Sequence, residues 1–267
     1  MRIIRFRDEN NNLCYGYNYN NNTAVLLNGE MFKGFKDTGK RVKVKEILTP
    51  LVPASILCIG LNYKQHAEET GARLPDHPAL FMKNIGALNN PGNPVILPPS
   101  CLDPLQVDFE AELAVVIGQA AKDVSASEAL DYVFGYTIGN DVSARLWQKE
   151  YCGGQWVKGK SFDTFCPLGP VLVTKDEIPD PQNLRLKSEL NGKVMQDACT
   201  EDMIFPVNKL IEELSIGMTL LPGTVILTGT PSGVGFARNP QIFIKPGDEL
   251  KITIEGIGEL INPVAAG

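Results

Sequence analysis

The sequence predicts an α+β protein in which a small antiparallel β subdomain precedes a larger domain. Residues 1–50 alternate short apolar runs with turn signals, which is typical of short strands. The rest of the 267-residue chain mixes strand-like and helix-like segments without the regular βαβ rhythm of a doubly wound sheet. We therefore divide the chain into a β subdomain at residues 1–50 and a second domain at residues 51–267.

The N-terminal subdomain contains two segments that predict strands, Arg2–Phe6 and Thr23–Leu27. Asn28 and Gly29 follow the second segment directly. Because both residue types tolerate a positive φ, the pair predicts a two-residue hairpin turn. The Asn-rich stretch around residues 10–12 predicts a solvated loop.

In the larger domain, apolar runs predict strands at residues 110–117, 134–141, 224–228 and 249–254. Ser125 and Glu128 have the spacing of a capping box, which predicts a helix that continues to about Val133. A second helix is expected after residue 141 with its cap near Ser143. The segment Val207–Leu214 has the spacing of a short amphipathic helix.

Bulk composition excludes several classes of protein. The net charge of −6 argues against a surface for nucleic acid or anionic lipid. No apolar run approaches the roughly 18 residues that a membrane-spanning helix needs. The six cysteines show no Cys-x-x-Cys spacing and fit a reducing compartment better than a disulfide framework. We expect a cytoplasmic protein, with a mitochondrial or other organellar location left open.

Two glutamates at the start of one predicted strand suggest a metal site. Side chains alternate faces in a strand, so Glu110 and Glu112 lie on one face, about 6–7 Å apart. A cation between them would remove both their repulsion and their resistance to burial. A solvent-facing polar strand end explains the pair alone equally well. Asp141, which ends the next predicted strand, adds a third carboxylate, and three such ligands suit Mg²⁺, Mn²⁺ or Ca²⁺.

Further polar residues follow Asp141. Arg145 and Gln148 are spaced i, i+3 and lie on one face of the predicted helix, although an exposed arginine is as probable from spacing alone. Lys160 ends a Gly-rich stretch, residues 153–160, that can bring backbone close to a ligand.

These motifs together resemble the fumarylacetoacetate hydrolase superfamily. The resemblance is carried by Asp108-Phe-Glu-Ala-Glu-Leu113, Asp141-Val-Ser-Ala-Arg145 with Gln148, Gly159-Lys-Ser-Phe-Asp-Thr164 and Leu227-Thr-Gly-Thr-Pro-Ser-Gly-Val-Gly235. It covers roughly residues 54–265. Within that family, Gln155-Trp156 and the stretch Lys160–Lys175 look similar to one type of protein, the second type of fumarylacetoacetate-hydrolase-domain-containing protein.

The resemblance implies a rolled, mixed β-sandwich core with peripheral helices, in a homodimer whose second domain is catalytic. It implies a metal, usually Mg²⁺, with Mn²⁺ or Ca²⁺ as alternatives, held by Glu110, Glu112 and Asp141. It also implies that the substrate's carboxylate or oxo groups contact Arg145, Gln148, Lys160 and Thr230.

The segment Asn62–Glu69 resembles the family's lid, with His66 and Glu69 as an acid–base pair. Residues three apart on a helix are neighbours, so Glu69 could hold the imidazole and raise its basicity. A lone helical histidine is otherwise more often structural, and His77 keeps that interpretation. Two departures from the family pattern are Ile59, where fumarylacetoacetases have a fourth acidic ligand, and Leu146, where many relatives are acidic.

The resemblance implies an enzyme that acts on a small 2-oxo acid through an enolate, whose charge the metal and Lys160 would stabilise. Oxaloacetate enol–keto tautomerisation is the first expectation. Hydrolysis of an acylpyruvate-type or fumarylacetoacetate-like diketo acid is the second, and oxaloacetate decarboxylation is the third. A remote alternative is a non-catalytic binder of 2-oxo acids, which would not need an acid–base pair.

Overall fold

The computed structural model describes all 267 residues and contains eighteen β-strands and four short α-helices. The strands are β1 Arg2–Asp8, β2 Leu13–Asn20, β3 Thr23–Glu30, β4 Gly34–Leu48, β5 Ser55–Gly60, β6 Ala79–Lys83, β7 Leu88–Asn89, β8 Val95–Leu97, β9 Val107–Asp108, β10 Ala111–Ile117, β11 Val133–Asn140, β12 Ser143–Ala144, β13 Cys166–Thr174, β14 Arg185–Leu190, β15 Lys193–Cys199, β16 Thr224–Leu227, β17 Glu249–Ile254 and β18 Gly258–Ala266. The helices are α1 Lys64–Thr70, α2 Arg145–Lys149, α3 Val157–Lys160 and α4 Val207–Ser215.

Most strands belong to two mixed sheets. Eleven strands form the first sheet, in the order β2-β3-β4-β1-β13-β11-β10-β16-β5-β6, with β7 beside β13. Five strands form the second sheet, in the order β15-β14-β17-β18-β8. The first sheet contains two parallel pairs, β5 with β16 and β7 with β13, and the second contains one, β8 with β18. Strands β9 and β12 pair separately, with Ser143 opposite Asp108.

The main apolar core lies between the two sheets, and β10 is buried on both faces. Leu113 and Val115 of β10 belong to the cluster that contains Ile252 of the second sheet. Ala114 and Val116 point the other way and pack in a separate cluster. A strand buried on both faces reads as a continuous apolar run, which is why residues 110–117 were recognisable from sequence.

The α+β prediction is confirmed, since two mixed sheets with few helices make up the molecule. The strands predicted at residues 110–117, 134–141, 224–228 and 249–254 are β10, β11, β16 and β17, and their ends shift by one residue at most. Helix α4 likewise occupies the segment predicted from its apolar spacing, and it packs Leu210, Ile211 and Leu214 into the main core.

The predicted two-residue turn at Asn28 and Gly29 is wrong. Both residues belong to β3, and the turn spans residues 31–33, between paired Glu30 and Gly34. Gly29 does have a positive φ of 116°, but inside the strand. The later turn places the exposed Phe32 ring edge-on to the Phe134 ring, with 5.4 Å between the centroids, a tertiary contact that the local turn preference does not reflect.

Two helix predictions also need correction. The hydroxyl of Ser125 donates to the Glu128 carboxylate at 2.5 Å, a side-chain contact that replaces the side-chain-to-backbone bonds of a capping box, and only a 3₁₀ turn at Ala129–Tyr132 follows. Val133 already pairs with β10, so the strand ends the turn. The second helix begins at residue 145, and Ser143 does not cap it, because its hydroxyl donates to a backbone carbonyl while its backbone pairs in β12.

The N-terminal strands continue the first sheet. Strand β1 pairs with β13, with Arg2 opposite Val173 and Ile3 opposite Leu172. Residues 1–48 are therefore bonded to the sheet that carries the candidate site, and the boundary at residue 50 stays a prediction. None of the four helices has the length and apolar composition needed to cross a bilayer.

Candidate active site

The three carboxylates predicted to bind metal lie together at the ends of two neighbouring strands. Glu110 immediately precedes β10 and Asp141 immediately follows β11, its antiparallel neighbour. The Asp141 N–H donates to the Glu110 carbonyl at 3.0 Å. Glu112 points to the same face as Glu110, because side chains alternate along a strand. Ligand oxygens of all three buried side chains lie within 4.8 Å of one another.

Three buried cations surround these carboxylates. Lys160, at the end of α3, places its Nζ 2.6 Å from Glu110 and 2.7 Å from Asp141. Lys83, at the end of β6, is 2.5 Å from the other oxygen of Asp141. Arg145, at the start of α2, is 2.7 Å from Glu110. An unpaired buried charge is costly, so these contacts between three cations and two carboxylates make five buried charges tolerable in the interior.

Glu112 is the one carboxylate of the three without a cationic partner. It accepts a hydrogen bond from the Gly229 N–H at 2.7 Å. Burial, followed by repulsion from Asp141 and Glu110, raises the pKa of Glu112 well above its ordinary value. A divalent cation would remove that repulsion, and carboxylate oxygens are the ligands that hard cations prefer. The donor set therefore fits such an ion.

Glu110 and Lys160 are both charged at neutral pH. Burial alone would raise the pKa of Glu110, but Lys160 and Arg145 lower it to about 2. Burial alone would lower the pKa of Lys160, but Asp141 and Glu110 outweigh it and raise that pKa above its ordinary value. Lys160 is therefore suited to stabilise negative charge and unsuited to accept a proton.

Arg145 is held in place by Asp108, a fully buried residue. The guanidinium donates to one Asp108 oxygen from Nε at 3.0 Å and from Nη2 at 2.7 Å. The same carboxylate accepts from the N–H groups of Gly235 and Phe236 at 2.8 and 3.0 Å. Gln148 Oε1 accepts from Arg145 Nη1 at 3.0 Å, and its amide NH₂ makes no hydrogen bond within the chain. That NH₂ is a free donor in the wall of the site.

Thr230 lies in the loop after β16 and packs against β10. Its hydroxyl donates to the Ala111 carbonyl at 3.1 Å and accepts from the Gln196 amide at 2.7 Å. Gln196 also accepts from the Ala111 N–H at 3.0 Å. The hydroxyl proton of Thr230 is thus already used, which leaves an acceptor lone pair for a ligand.

His66 and Glu69 form a pair on α1. The imidazole Nδ1 lies 2.7 Å from Glu69 Oε1. Both oxygens of Glu69 also accept from the Gly233 N–H, at 3.1 and 2.9 Å. The His66 ring meets the edge of Phe236 at a centroid distance of 6.5 Å. These contacts fix the imidazole and leave Nε2 as the nitrogen available for proton transfer.

One cavity of about 300 Å³ unites most of the predicted residues, and it is lined by His66, Glu110, Arg145, Gln148, Lys160 and Thr230. This volume is at the lower end of the range for small-ligand sites, roughly 300–1,000 Å³. Glu69 and Asp141 contact lining residues, and Glu112 lies within 4.8 Å of Glu110. The structure thus brings together all nine predicted site residues.

Sequence reasoning missed several parts of the site. Asp108 has the same strand parity as Glu110, a signal that could have placed it beside the carboxylates. The resemblance also implies a lysine near the site at Lys83, with Lys160 as the stronger candidate, and in the structure both contact Asp141. Phe236 had no distinguishing signal, because its position depends on loop packing.

Two family models match the chain. The model described as fumarylacetoacetate (FAA) hydrolase C-terminal matches residues 55–265. The model described as Rv2993c-like, N-terminal matches residues 1–49.

Similar proteins and structures cover most or all of the chain. The fumarylacetoacetate hydrolase domain-containing protein 2 homolog of Dictyostelium discoideum is 47% identical over 228 residues, 82% of this chain and 74% of that protein. The oxaloacetate tautomerase FAHD2A, mitochondrial, of Bos taurus is 47% identical over 212 residues, 79% of this chain and 67% of that protein. A crystal structure of 5-carboxymethyl-2-hydroxymuconate delta-isomerase from Mycobacterium smegmatis has a TM-score of 0.87 and 37% identity, and the match covers 100% of both chains.

Proposed function

The chain belongs to the fumarylacetoacetate hydrolase family of enzymes, and we propose that it catalyses the metal-dependent enol–keto tautomerisation of oxaloacetate. One observation carries the proposal. His66, whose Nε2 is available for proton transfer, lines the same small cavity as Lys160, whose ammonium stays charged. The name of the bovine relative supports the choice of substrate.

A divalent cation held by Glu110, Glu112 and Asp141 would supply Lewis acidity to the 2-oxo group of the substrate. We propose Mg²⁺ as this ion, with Mn²⁺ or Ca²⁺ as alternatives. The buried carboxylate of Glu112, which accepts only from the Gly229 N–H and has no cationic partner, supports a cation at this position. The remaining chemistry belongs to the side chains of the chain.

Arg145 and Gln148 would bind the carboxylate next to the 2-oxo group. Gln148 offers an unused NH₂ donor, and Asp108 holds the guanidinium of Arg145 so that little freedom is lost on binding. This orientation would turn C3, the carbon on the far side of the 2-oxo group, toward His66, which lines the same cavity as Arg145 and Gln148.

The proton transfer itself requires two groups. The enol loses its O–H proton to solvent, and the Lys160 ammonium stabilises the negative charge on the resulting enolate oxygen. Protonated His66 donates from Nε2 to C3, which yields the keto form, and His66 regains its proton from solvent. Glu69 stabilises the protonated imidazole through Nδ1. One proton leaves oxygen, one reaches carbon, and no C–C bond breaks.

Hydrolysis of a diketo acid is the second candidate, because the same His66–Glu69 pair could activate a water and the family description names a hydrolase. Oxaloacetate decarboxylation is the third. A non-catalytic binder is disfavoured, since a binder has no need for an imidazole fixed by Glu69 at the cavity wall.

We propose a homodimer. Strand β6 is an edge of the eleven-stranded sheet and exposes Leu80 and Met82, an arrangement that favours association. A cytoplasmic or mitochondrial location is consistent with six free cysteines, and the bovine relative is named mitochondrial. Size-exclusion chromatography with light scattering tests the assembly.

The test of the proposed function mixes purified protein, with and without Mg²⁺, with freshly dissolved enol-oxaloacetate. Enol absorbance and pyruvate formation are followed in the same sample. Fast, Mg²⁺-dependent enol loss without extra pyruvate supports the tautomerase. Pyruvate that appears as fast as the enol disappears would instead support a decarboxylase. No effect on either, with metal bound, would favour the hydrolase and a diketo acid substrate.

A further inference from the structure

Lys149 differs from the other cations that line the cavity. Arg145 and Lys160 each contact two carboxylates. Lys149, the last residue of α2, lines the same cavity, but its side-chain ammonium makes no hydrogen bond and no ion pair within the chain. A charged donor that the fold leaves unpaired beside a ligand cavity is available to an anionic ligand.

An aromatic ring fixes the position of this ammonium. Lys149 Nζ lies 4.0 Å from the centroid of the Phe236 ring. The guanidinium carbon of Arg145 lies 4.3 Å from the same centroid. Phe236 is in turn tied to Asp108 through its backbone N–H. The cation–π contact orients the lysine, and it is weaker than a charge-assisted hydrogen bond, so a carboxylate can still bind.

The spacing of the two cations suits a short ligand with two anionic ends. Arg145 and Lys149 are separated by four residues on one helix, so their Cβ atoms lie about 5–6 Å apart on one face. Arg145 is deeply buried and Lys149 is exposed at the cavity rim. The inner cation can therefore bind one carboxylate while the rim cation binds another.

We propose that Lys149 binds the distal carboxylate of a dicarboxylic 2-oxo acid and so selects diacids over 2-oxo monocarboxylic acids. This inference rests on the proposed function, because it takes the carboxylate beside the 2-oxo group to bind at Arg145 and Gln148. The role concerns binding, so substitution of Lys149 changes KM far more than kcat.

The test compares two ligands that differ only at the distal end. Freshly dissolved oxaloacetate has a carboxylate where 2-oxobutyrate has a methyl group. Calorimetry on the full Mg²⁺-loaded chain gives the Kd of each ligand for the wild type, K149M, K149R and K158M. Lys158 is the matched control, because its Nζ also lies over a phenylalanine ring, at 4.5 Å from Phe162, yet it does not line this cavity.

The expected result is a loss of about tenfold in oxaloacetate affinity for K149M, modest because solvent screens an exposed ammonium. Binding of 2-oxobutyrate should stay the same, K149R should keep most of the preference, and K158M should match the wild type. Equal weakening of both ligands by K149M, or no weakening, would overturn the role of Lys149 while leaving the proposed function intact. A wild type that binds neither ligand would overturn both.

Discussion

At the scale of single residues, the three candidate metal ligands differ in how their charge is compensated. Glu110 and Asp141 share the Lys160 ammonium, whereas Glu112 has only the backbone N–H of Gly229. Lys160 and Arg145 lower the pKa of Glu110 to about 2, whereas burial and repulsion from Asp141 and Glu110 raise the pKa of Glu112. The uncompensated carboxylate is the one whose ionisation must respond most to a bound cation.

Metal affinity should therefore rise with pH. Burial and two neighbouring carboxylates raise the pKa of Glu112. In the metal-free protein, Glu112 therefore stays protonated at pH values at which an ordinary glutamate, with a pKa of about 4.3, is ionised. A cation needs the ionised carboxylate, so binding releases a proton and the affinity gains up to about tenfold per pH unit below that pKa. Mn²⁺ calorimetry at about pH 6 and about pH 8, in buffers of different ionisation enthalpy, measures both effects.

The raised pKa of Glu112 also makes the free energy of unfolding depend on pH. Between the unfolded pKa and the raised native pKa, the native state holds more protons than the unfolded state, so the metal-free protein loses stability as pH rises. Mg²⁺ should remove this loss, and E112Q should remove the contribution of Glu112 to the pH dependence of both stability and Mn²⁺ affinity. Equal Mn²⁺ affinity at both pH values, without proton release, would contradict the raised pKa of Glu112.

Asp108→Asn should damage substrate binding and stability together. The substitution removes a buried charge that accepts from Arg145 and from two backbone N–H groups, and loss of one partner of a buried ion pair costs about 3–5 kcal/mol. Thermal unfolding should show a lowered Tm, and steady-state kinetics a raised KM. The exposed Asp103, substituted in the same way, is the control and should change neither.

The positions of single site residues were predictable where they follow from the alternation of side chains along a strand and from the order of the strands in the chain. Glu110, Glu112 and Asp141 lie together because the two apolar segments that carry them are the neighbouring strands β10 and β11. Lys149 beside Phe236 could not be foreseen, because 87 residues separate them and only loop packing brings the ring to the lysine.

At the scale of elements, a close approach between α2 and α3 positions Lys160. Gly159 of α3 lies against α2 so tightly that a Cβ there would be 2.4 Å from the Gln148 nitrogen and 2.7 Å from its Cα. Only glycine fits this contact. The helix that carries Lys160 thus packs directly on the helix that carries Arg145.

Gly159→Ala should push α3 away from α2. Overpacking of this kind costs about 1–3 kcal/mol, and displacement of Lys160 from Glu110 and Asp141 should lower kcat. Chemical unfolding and enol-oxaloacetate kinetics check the two effects. Lys158→Ala on the same helix is the control, because its side chain is exposed. A variant with wild-type stability and rate would show that the helix contact does not position Lys160.

Strong apolar runs predicted the elements well, and short polar signals did not. Strands β10 and β11 emerged where expected, since burial on both faces leaves a clear apolar pattern. The Ser125–Glu128 pair predicted a helix that is only a 3₁₀ turn, because the pairing of Val133 in β11 leaves no room for one.

At the scale of the whole molecule, the eleven-stranded sheet links the chain's N-terminus to the site. In this sheet β1 pairs with β13, and Arg2 lies opposite Val173. The family resemblance implied a mixed β core, but the two strands are far apart in the chain, so no local sequence pattern predicts that they pair. The packing around this sheet also determines which cysteine thiols are buried away from solvent.

Thiol reactivity should divide the six cysteines into two groups. Burial raises the pKa of the three buried thiols, Cys58, Cys101 and Cys166, the last to about 12. The three half-buried thiols are Cys14, Cys152 and Cys199. A disulfide reagent should label up to three thiols in the native protein and six after unfolding without reductant. Fewer than six after unfolding would mean that a disulfide exists.

His66 is the proposed proton donor to the substrate, and the chain offers a matched test because it has two histidines. His77 is exposed and lies 3.3 Å from Glu213, away from the cavity. The rate of enol-oxaloacetate loss should be measured for the wild type, H66N and H77N, with oxalate binding as the check on an intact site. H66N should bind oxalate normally but lose about 10²- to 10⁴-fold in kcat, while H77N keeps the wild-type rate. A wild-type rate in H66N would show that His66 does not transfer the proton.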